Sequence, residues 1–139
     1  MDAVQTFERW HKAHESVDTV ALGAVLHPDA VVRSLFRSTD VRGRESAVSH
    51  FTRTLSTFPD LRMPLRSLPA ANPDGVVFAE VGFCGTFTGE LTWDGRRHDG
   101  TGRSFDLDGV VVLHTADGWV TSVATLFDRD VWLHQIGIV

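Results

Sequence analysis

The chain has 139 residues, 42% of them hydrophobic and 22% charged, which is the size of one ordinary domain, 1–139, with enough apolar content to close a core and no compositional sign of disorder. A formal net charge of -5 leaves no basic surface to neutralise phosphate, which argues against nucleic acid and anionic membranes as partners and leaves small molecules or proteins. The single cysteine, Cys84, excludes an internal disulfide, and without an apolar N-terminal segment of signal-peptide or membrane-spanning length the expected location is cytoplasmic.

Phe7, Trp10, His11 and His14 recur at three- and four-residue intervals, so the spacing predicts an amphipathic helix over residues 3–15. Ser16 or Asp18 is placed to cap a second, short helix containing Val20, Ala21, Ala24 and Val25, which His27-Pro28-Asp29 ends. Residues 30–36 read as a strand. A third helix is predicted over residues 42–56, with Ala47, Val48, Phe51 and Leu55 on one face and Phe58-Pro59-Asp60 enforcing its end. Strands follow: one near residues 61–68, then β-rich runs over 76–91, 104–114 and 119–128. Asp94-Gly95 and Asp117-Gly118 supply hairpin turns, because both residue types tolerate positive φ. Helices first and a meander of strands afterwards predict an α+β domain, a curved antiparallel sheet wrapped around N-terminal helices and enclosing an interior pocket.

Side chains alternate faces along a strand. One set on the last two strands is Gly109, Val111 and Leu113 with Trp119, Thr121, Val123, Thr125 and Phe127. The other is Val110, Val112 and His114 with Val120, Ser122, Ala124, Leu126 and Asp128. Both sets are largely apolar, so the first is expected to line the interior and the second to pack on another subunit, making a homodimer.

Six stretches occur in order: Phe58-Pro59-Asp60-Leu61-Arg62, Gly85-Thr86-Phe87-Thr88-Gly89-Glu90-Leu91, Gly100-Thr101-Gly102-Arg103, Ala116-Asp117-Gly118-Trp119-Val120, Leu126-Phe127-Asp128 and Gln135-Ile136-Gly137. In this order and at these intervals they resemble the SnoaL-like polyketide cyclase family over nearly the whole chain. The resemblance implies the cone-shaped fold shared with nuclear-transport-factor-2-like proteins, ketosteroid isomerase, scytalone dehydratase and limonene epoxide hydrolase. That superfamily hosts several chemistries, so the fold does not name the reaction. The departures lie at polar positions. Many such cyclases carry a His-Trp-Asp triplet before the Phe-Asp pair, and here it falls on Val123, Ala124 and Thr125, so Thr125 stands where the resemblance implies the acid/base. A frequent histidine has become Phe87. The epoxide-hydrolase relatives need an Asp at the same position and a tyrosine, and this chain has no tyrosine.

Proton transfer to carbon needs a carboxylate or imidazole with a shifted pKa, and a threonine hydroxyl supplies only a hydrogen bond. Four residues are catalytic candidates. Thr125 offers that hydrogen bond. Asp128 either acts as an acid or caps a short terminal helix over residues 131–136, and its parity away from Thr125 favours the cap, a role Asp130 fills equally well. His114 either serves the site or sits half-exposed beside a turn. Glu80 either titrates high among apolar neighbours or faces solvent or an interface arginine. Arg103 either binds a carboxylate or enolate or pairs with Asp106. His14 and His50 lie at helical spacing from Trp10 and beside Phe51, where either tips into the pocket or marks an amphipathic boundary.

Trp10, Phe51, Phe83, Phe87, Val111, Leu113, Val123 and Phe127 make an apolar and aromatic set that either packs as core or lines a ligand cavity. The seven histidines show no HxxxH spacing and there is no CxxC, no glycine-rich phosphate loop and no Gly-x-Ser-x-Gly elbow, so no metal and no cofactor are expected. The expected activity is a cyclase or isomerase acting on a hydrophobic polyketide-like or terpenoid-like molecule in natural-product biosynthesis, working by conformational confinement with help from Thr125. Two alternatives stand beside it: a non-catalytic small-molecule-binding protein on the same fold, and an epoxide-opening hydrolase or cyclase.

Overall fold

Asp2 opens the first helix, α1 (Ala3–Glu15), with a capping box in which the Gln5 N–H donates to Asp2 Oδ1 at 2.8 Å and the Asp2 N–H donates to Gln5 Oε1 at 3.0 Å. A computed structural model describes residues 1–34 and 39–138 of the chain. The apolar stripe of α1 buries Phe7, Trp10 and Ala13 as its spacing predicts. Asp18, rather than Ser16, caps α2 (Thr19–Val25), accepting from the Ala21 N–H at 3.0 Å.

The chain then enters β1 (Leu26–Arg33) and β2 (Val41–Arg42), and α3 (Arg44–Thr57) follows. His27-Pro28-Asp29 therefore lies inside a strand, earlier than the expected residues 30–36, while Leu35 and Phe36 fall outside the described residues. The register on β1 shifts between Leu26 and Val31, and that irregularity leaves room for Pro28, which has no N–H for a ladder.

No continuous strand forms over residues 61–68. Pro64 and Pro69 interrupt the stretch, which keeps only single bridges, Arg62 to Cys84 and Leu65 to Val81, before the two-residue β3 (Ala70–Ala71). The expected 76–91 run divides into β4 (Val76–Thr86) and β5 (Glu90–Trp93). β5 pairs with β6 (Arg96–Asp99) across Asp94-Gly95, both at positive φ of 53° and 71°. β7 (Ser104–Ala116) and β8 (Trp119–Phe127) form the final hairpin around Asp117 and Gly118, at φ of 52° and 81°.

The main sheet is curved, with strand order β2-β1-β8-β7-β4-β3. It is mixed rather than wholly antiparallel, because β1 runs parallel to β8. A bulge at Thr121 corrects the alternation expected for β8. Thr115 pairs with Val120 but His114 pairs with Ser122, so Val120 is buried and Trp119 is 36% exposed, while Val123 faces inward as expected. The Thr121 hydroxyl donates to His114 O at 3.1 Å in the gap. Gly109, opposite Phe127, is required by close approach: a Cβ there would lie 2.3 Å from Leu126 O and 2.6 Å from the Phe83 ring.

Asp128 begins α4 (Arg129–Gln135) by accepting from the Val131 N–H at 3.1 Å. The helix seats Trp132 against the rings of Phe58, Phe105, Phe127 and Trp93, closing one end of the core. No helix among the described residues is long and apolar enough to cross a membrane.

Candidate functional site

A cavity of about 70 Å³ lies between the helical layer and the concave face of the sheet. Trp10 and His14 of α1, and Ala47, His50, Phe51 and Thr54 of α3, form its helical wall. Phe83 of β4 and Val123 and Thr125 of β8 form the opposite wall, and Leu61 and Met63 close one side. The lining is mostly apolar, so a bound molecule would gain from leaving water and would feel every polar group strongly.

The Thr125 hydroxyl stands out in that lining. Its Oγ1 is buried and makes no hydrogen bond to any described residue. Thr54 lines the same cavity, yet its hydroxyl donates to His50 O one turn back at 2.9 Å. A buried hydroxyl without a partner costs about 1–3 kcal/mol, so the Thr125 position is a donor and acceptor held in reserve at the cavity wall.

His14 is the second polar feature. Its ring packs on those of Trp10 and Phe51, at centroid distances of 5.4 and 4.7 Å, and its Nδ1 stands 3.2 Å from Glu15 Oε1. Glu15 is held from outside the helix by the Met63 N–H, which donates to Oε1 at 2.8 Å, while His11 Nε2 contacts Met63 O at 2.7 Å. Burial alone would push the Glu15 carboxyl up, but the hydrogen bonds from His14 and from the Met63 N–H, with His14 and His11 beside it, hold it below the usual carboxylate range.

The structure thus brings seven expected site residues to one cavity: Trp10, His14, His50 and Phe51 from the helices, and Phe83, Val123 and Thr125 from the sheet. It does not bring the others there. Phe87, Val111 and Leu113 are buried as core outside the cavity lining, and Phe127 packs on Phe83 at 4.8 Å and on Trp132 at 5.9 Å. Asp128 is exposed and engaged as the α4 cap. Glu80 and His114 are exposed on the outer face of the sheet, where alternation from inward Ala79 and Leu113 puts them. The bulge also sets His114 opposite Ser122 instead of Val120. Arg103 is exposed in the loop before β7, and Asp106 stands 4.0 Å from Arg66 instead.

Sequence reasoning missed Glu15, Met63 and Thr54. Glu15 was legible, because it lies four residues after His11 and so shares a ridge of α1 with it. Met63 contributes backbone groups that no side-chain pattern announces. Arg62 also borders the cavity, but it bridges to Cys84, which lies on the outer face, so its charged end is directed away from the interior. Among the described residues no group of three His, Cys, Asp or Glu side chains stands where it could hold a metal ion.

Residues 7–123 match the family model of the SnoaL-like domain. IdmH from Streptomyces antibioticus, a candidate polyketide cyclase, superposes with a TM-score of 0.77 at 23% identity over 99% of both chains. A candidate polyketide cyclase from Xanthomonas campestris pv. campestris gives 0.79 at 25% identity, covering 97% of this chain and 96% of its own. A protein of ketosteroid isomerase-like fold from Catenulispora acidiphila, solved with trimethylamine, gives 0.77 at 19% identity over 96% of this chain and 93% of its own. No curated protein matches the sequence.

Proposed function

The chain belongs to the SnoaL-like domain family, and from that premise we propose that it is a cyclase or isomerase acting on a hydrophobic polyketide-like or terpenoid-like molecule in natural-product biosynthesis. One observation carries the reading: an apolar cavity whose wall holds a buried, unpartnered hydroxyl, Thr125 Oγ1, at the position where the resemblance implies an aspartate. The cavity folds a reactive, flexible substrate into one conformer, and Thr125 hydrogen-bonds a carbonyl oxygen as charge builds on it. At about 70 Å³ the enclosed part of the cavity holds only one end of such a molecule. His50 and Thr54 also line a surface groove of about 780 Å³ between α3 and β5, which has space for the remainder of a larger molecule.

A second reading, a non-catalytic binding protein, is favoured by the exposure of Glu80, His114 and Asp128, none of which reaches the cavity. The epoxide-opening reading lacks support, since no carboxylate lines the cavity among the described residues. We further infer a homodimer through the outer sheet face, where Phe78 and Leu126 are 52% and 46% exposed beside Val110, Val112 and Ala124.

The test is turnover of a panel of linear and monocyclic β-keto esters, followed by liquid chromatography and mass spectrometry. Ring closure or double-bond migration should be lost in Val123→Trp, which fills the cavity, and should persist in Glu80→Gln and His114→Ala. Binding of panel members without any product assigns the chain to the second reading, and loss of activity in Glu80→Gln or His114→Ala refutes the assignment of the cavity.

A further inference from the structure

We infer that His14, oriented by Glu15, is the proton acceptor of this cavity toward a C–H bond next to a carbonyl group. The inference rests on the reading that the cavity receives a carbonyl-bearing ligand, and it supplies the base that Thr125 cannot be. Three observations carry it. His14 lines the cavity, its Nδ1 faces Glu15 Oε1 at 3.2 Å, and its Nε2 has no hydrogen-bond partner among the described residues. Glu15 in turn is anchored by the Met63 N–H at 2.8 Å, so the carboxylate cannot swing away without breaking a backbone contact.

This geometry dictates the tautomer. An ionised carboxylate only accepts hydrogen bonds, so Nδ1 must carry the proton and the neutral ring keeps its lone pair on Nε2. The lowered pKa of Glu15 keeps that carboxylate ionised at neutral pH. The rings of Trp10 and Phe51 pack on the imidazole at tilts of 36° and 40° and limit its rotation. Base, positioning carboxylate and aromatic clamp all come from the helical layer, and the oxygen-binding hydroxyl of Thr125 comes from the sheet across the same cavity.

The step balances within the ligand. Nε2 takes the proton from carbon, the C–H electron pair becomes the C=C bond of an enolate as the carbonyl π pair moves to oxygen, and the Thr125 O–H donates to that oxygen. Where a C=C bond adjoins the deprotonated carbon, the anion is a dienolate and the imidazolium returns its proton to the far carbon, giving the isomer with a shifted double bond. Alternatively the enolate carbon attacks a second carbonyl of the same molecule, whose oxygen collects the proton, giving a ring. His14 and Glu15 end as they began.

The test needs no natural substrate. Long-range proton–nitrogen NMR on labelled protein should find neutral His14 protonated at Nδ1, with Glu15→Gln erasing that preference. The probe 5-nitrobenzisoxazole reports a base directly, since removal of its ring C–H proton breaks the N–O bond and releases a coloured phenolate. Wild type should accelerate this, with a rate that rises with pH as one group loses its proton, and His14→Gln should slow it by about 100-fold or more. Among the described residues, the titratable and charged groups around His14 and its cavity are Glu15, with His11 beside it, on α1, His50 on α3 and Arg62 ahead of β4, and the hydroxyls in the lining are those of Ser34, Thr54 and Thr125. If neutral His14 instead carries its proton on Nε2, or if His50→Gln and not His14→Gln removes the elimination, the inference is overturned. Calorimetric titration with phenol separates this from the parent reading: phenol bound by a His14→Gln variant of unchanged elimination rate leaves the cavity standing and sinks the base. If neither phenol nor the benzisoxazole binds, the cavity reading fails and the base falls with it.

Discussion

Replacing Thr125 with valine should make the free protein more stable and the ligand-bound protein less so. Thr125→Val keeps the shape of the side chain and exchanges a buried hydroxyl, which has no partner among the described residues, for a methyl group. Leaving such a hydroxyl unpaired costs about 1–3 kcal/mol. At roughly 0.3 kcal/mol per degree for a chain of this length, a gain of about 1 kcal/mol raises the melting temperature by about 3 °C. Phenol and toluene form a matched pair of one-ring probes, differing by a hydroxyl in place of a methyl. Wild type should prefer phenol by about 5-fold, the worth of one net hydrogen bond, and the variant should lose that preference. Differential scanning calorimetry and titration calorimetry read the two effects. A melting temperature lowered by the substitution would show that the hydroxyl holds the fold together, and an unchanged preference for phenol would show that it does not face the ligand. Either result removes Thr125 from the site.

Glu15 and Asp60 both have carboxyls held below their ordinary values. Burial pushes each up, but His14 and the Met63 N–H outweigh it for Glu15, and the Thr86 hydroxyl and N–H do so for Asp60. A depressed folded pKa gives stability that is fully present above the ordinary values of 4.5 and 3.8 and is lost as pH falls through the folded ones. Glu15→Gln and Asp60→Asn should therefore each flatten the acid limb of stability against pH in urea titrations and leave its slope above pH 6 unchanged. Asp128→Ala should lower stability by about 1 kcal/mol through the lost helix cap while leaving phenol binding intact, since its carboxylate accepts from Val131 and lies outside the cavity. Leu126→Lys should convert the proposed dimer to monomer in equilibrium sedimentation, and a wild-type chain that sediments as a monomer refutes the use of the outer face. Thr125→Asp should bury an acid beside Phe83 and Val123 and raise its pKa, so stability should fall as pH rises from about 4 to 7, losing about 1.4 kcal/mol for each tenfold drop in proton concentration below the folded pKa. Flat stability over that range would place position 125 in water.

How much of this was legible depends on how local the signal is. Helix ends were, because Asp18, Asp128 and the Phe58-Pro59-Asp60 stop act within one turn of the backbone they govern. Both Asp-Gly turns were, for the same reason. The parallel pairing of β1 with β8 was not, since it joins segments far apart in sequence and leaves no mark on either. Inward positions on β8 were legible only beyond Thr121: a bulge adds a residue without changing the composition, and it inverts parity for Trp119 and Val120 while sparing Val123 and Thr125. Phe87, Val111, Leu113 and Phe127 belong to the apolar set the sequence singles out, but hydrophobicity does not distinguish the wall of a cavity from the packing behind it. That distinction is made by Trp132, which claims Phe127 for the seat of α4.

The location of Glu15 beside the cavity follows from the same energetics. An acid on β8 at position 125 would emerge into a mostly apolar lining that includes Phe83 and Val123, and burial there would raise its pKa. An acid on α1 sits one residue outside the cavity, where the Met63 N–H and two imidazoles keep it ionised, and it reaches the interior only through His14. In the proposed division of roles no carboxylate enters the lining, so the Thr125 hydroxyl would meet a ligand oxygen without a competing negative charge. It also ties the proposed base to the 61–65 segment rather than to the sheet. Shifts of that segment would then change the orientation of His14 while leaving the shape of the sheet wall, and hence the fit of the ligand, intact.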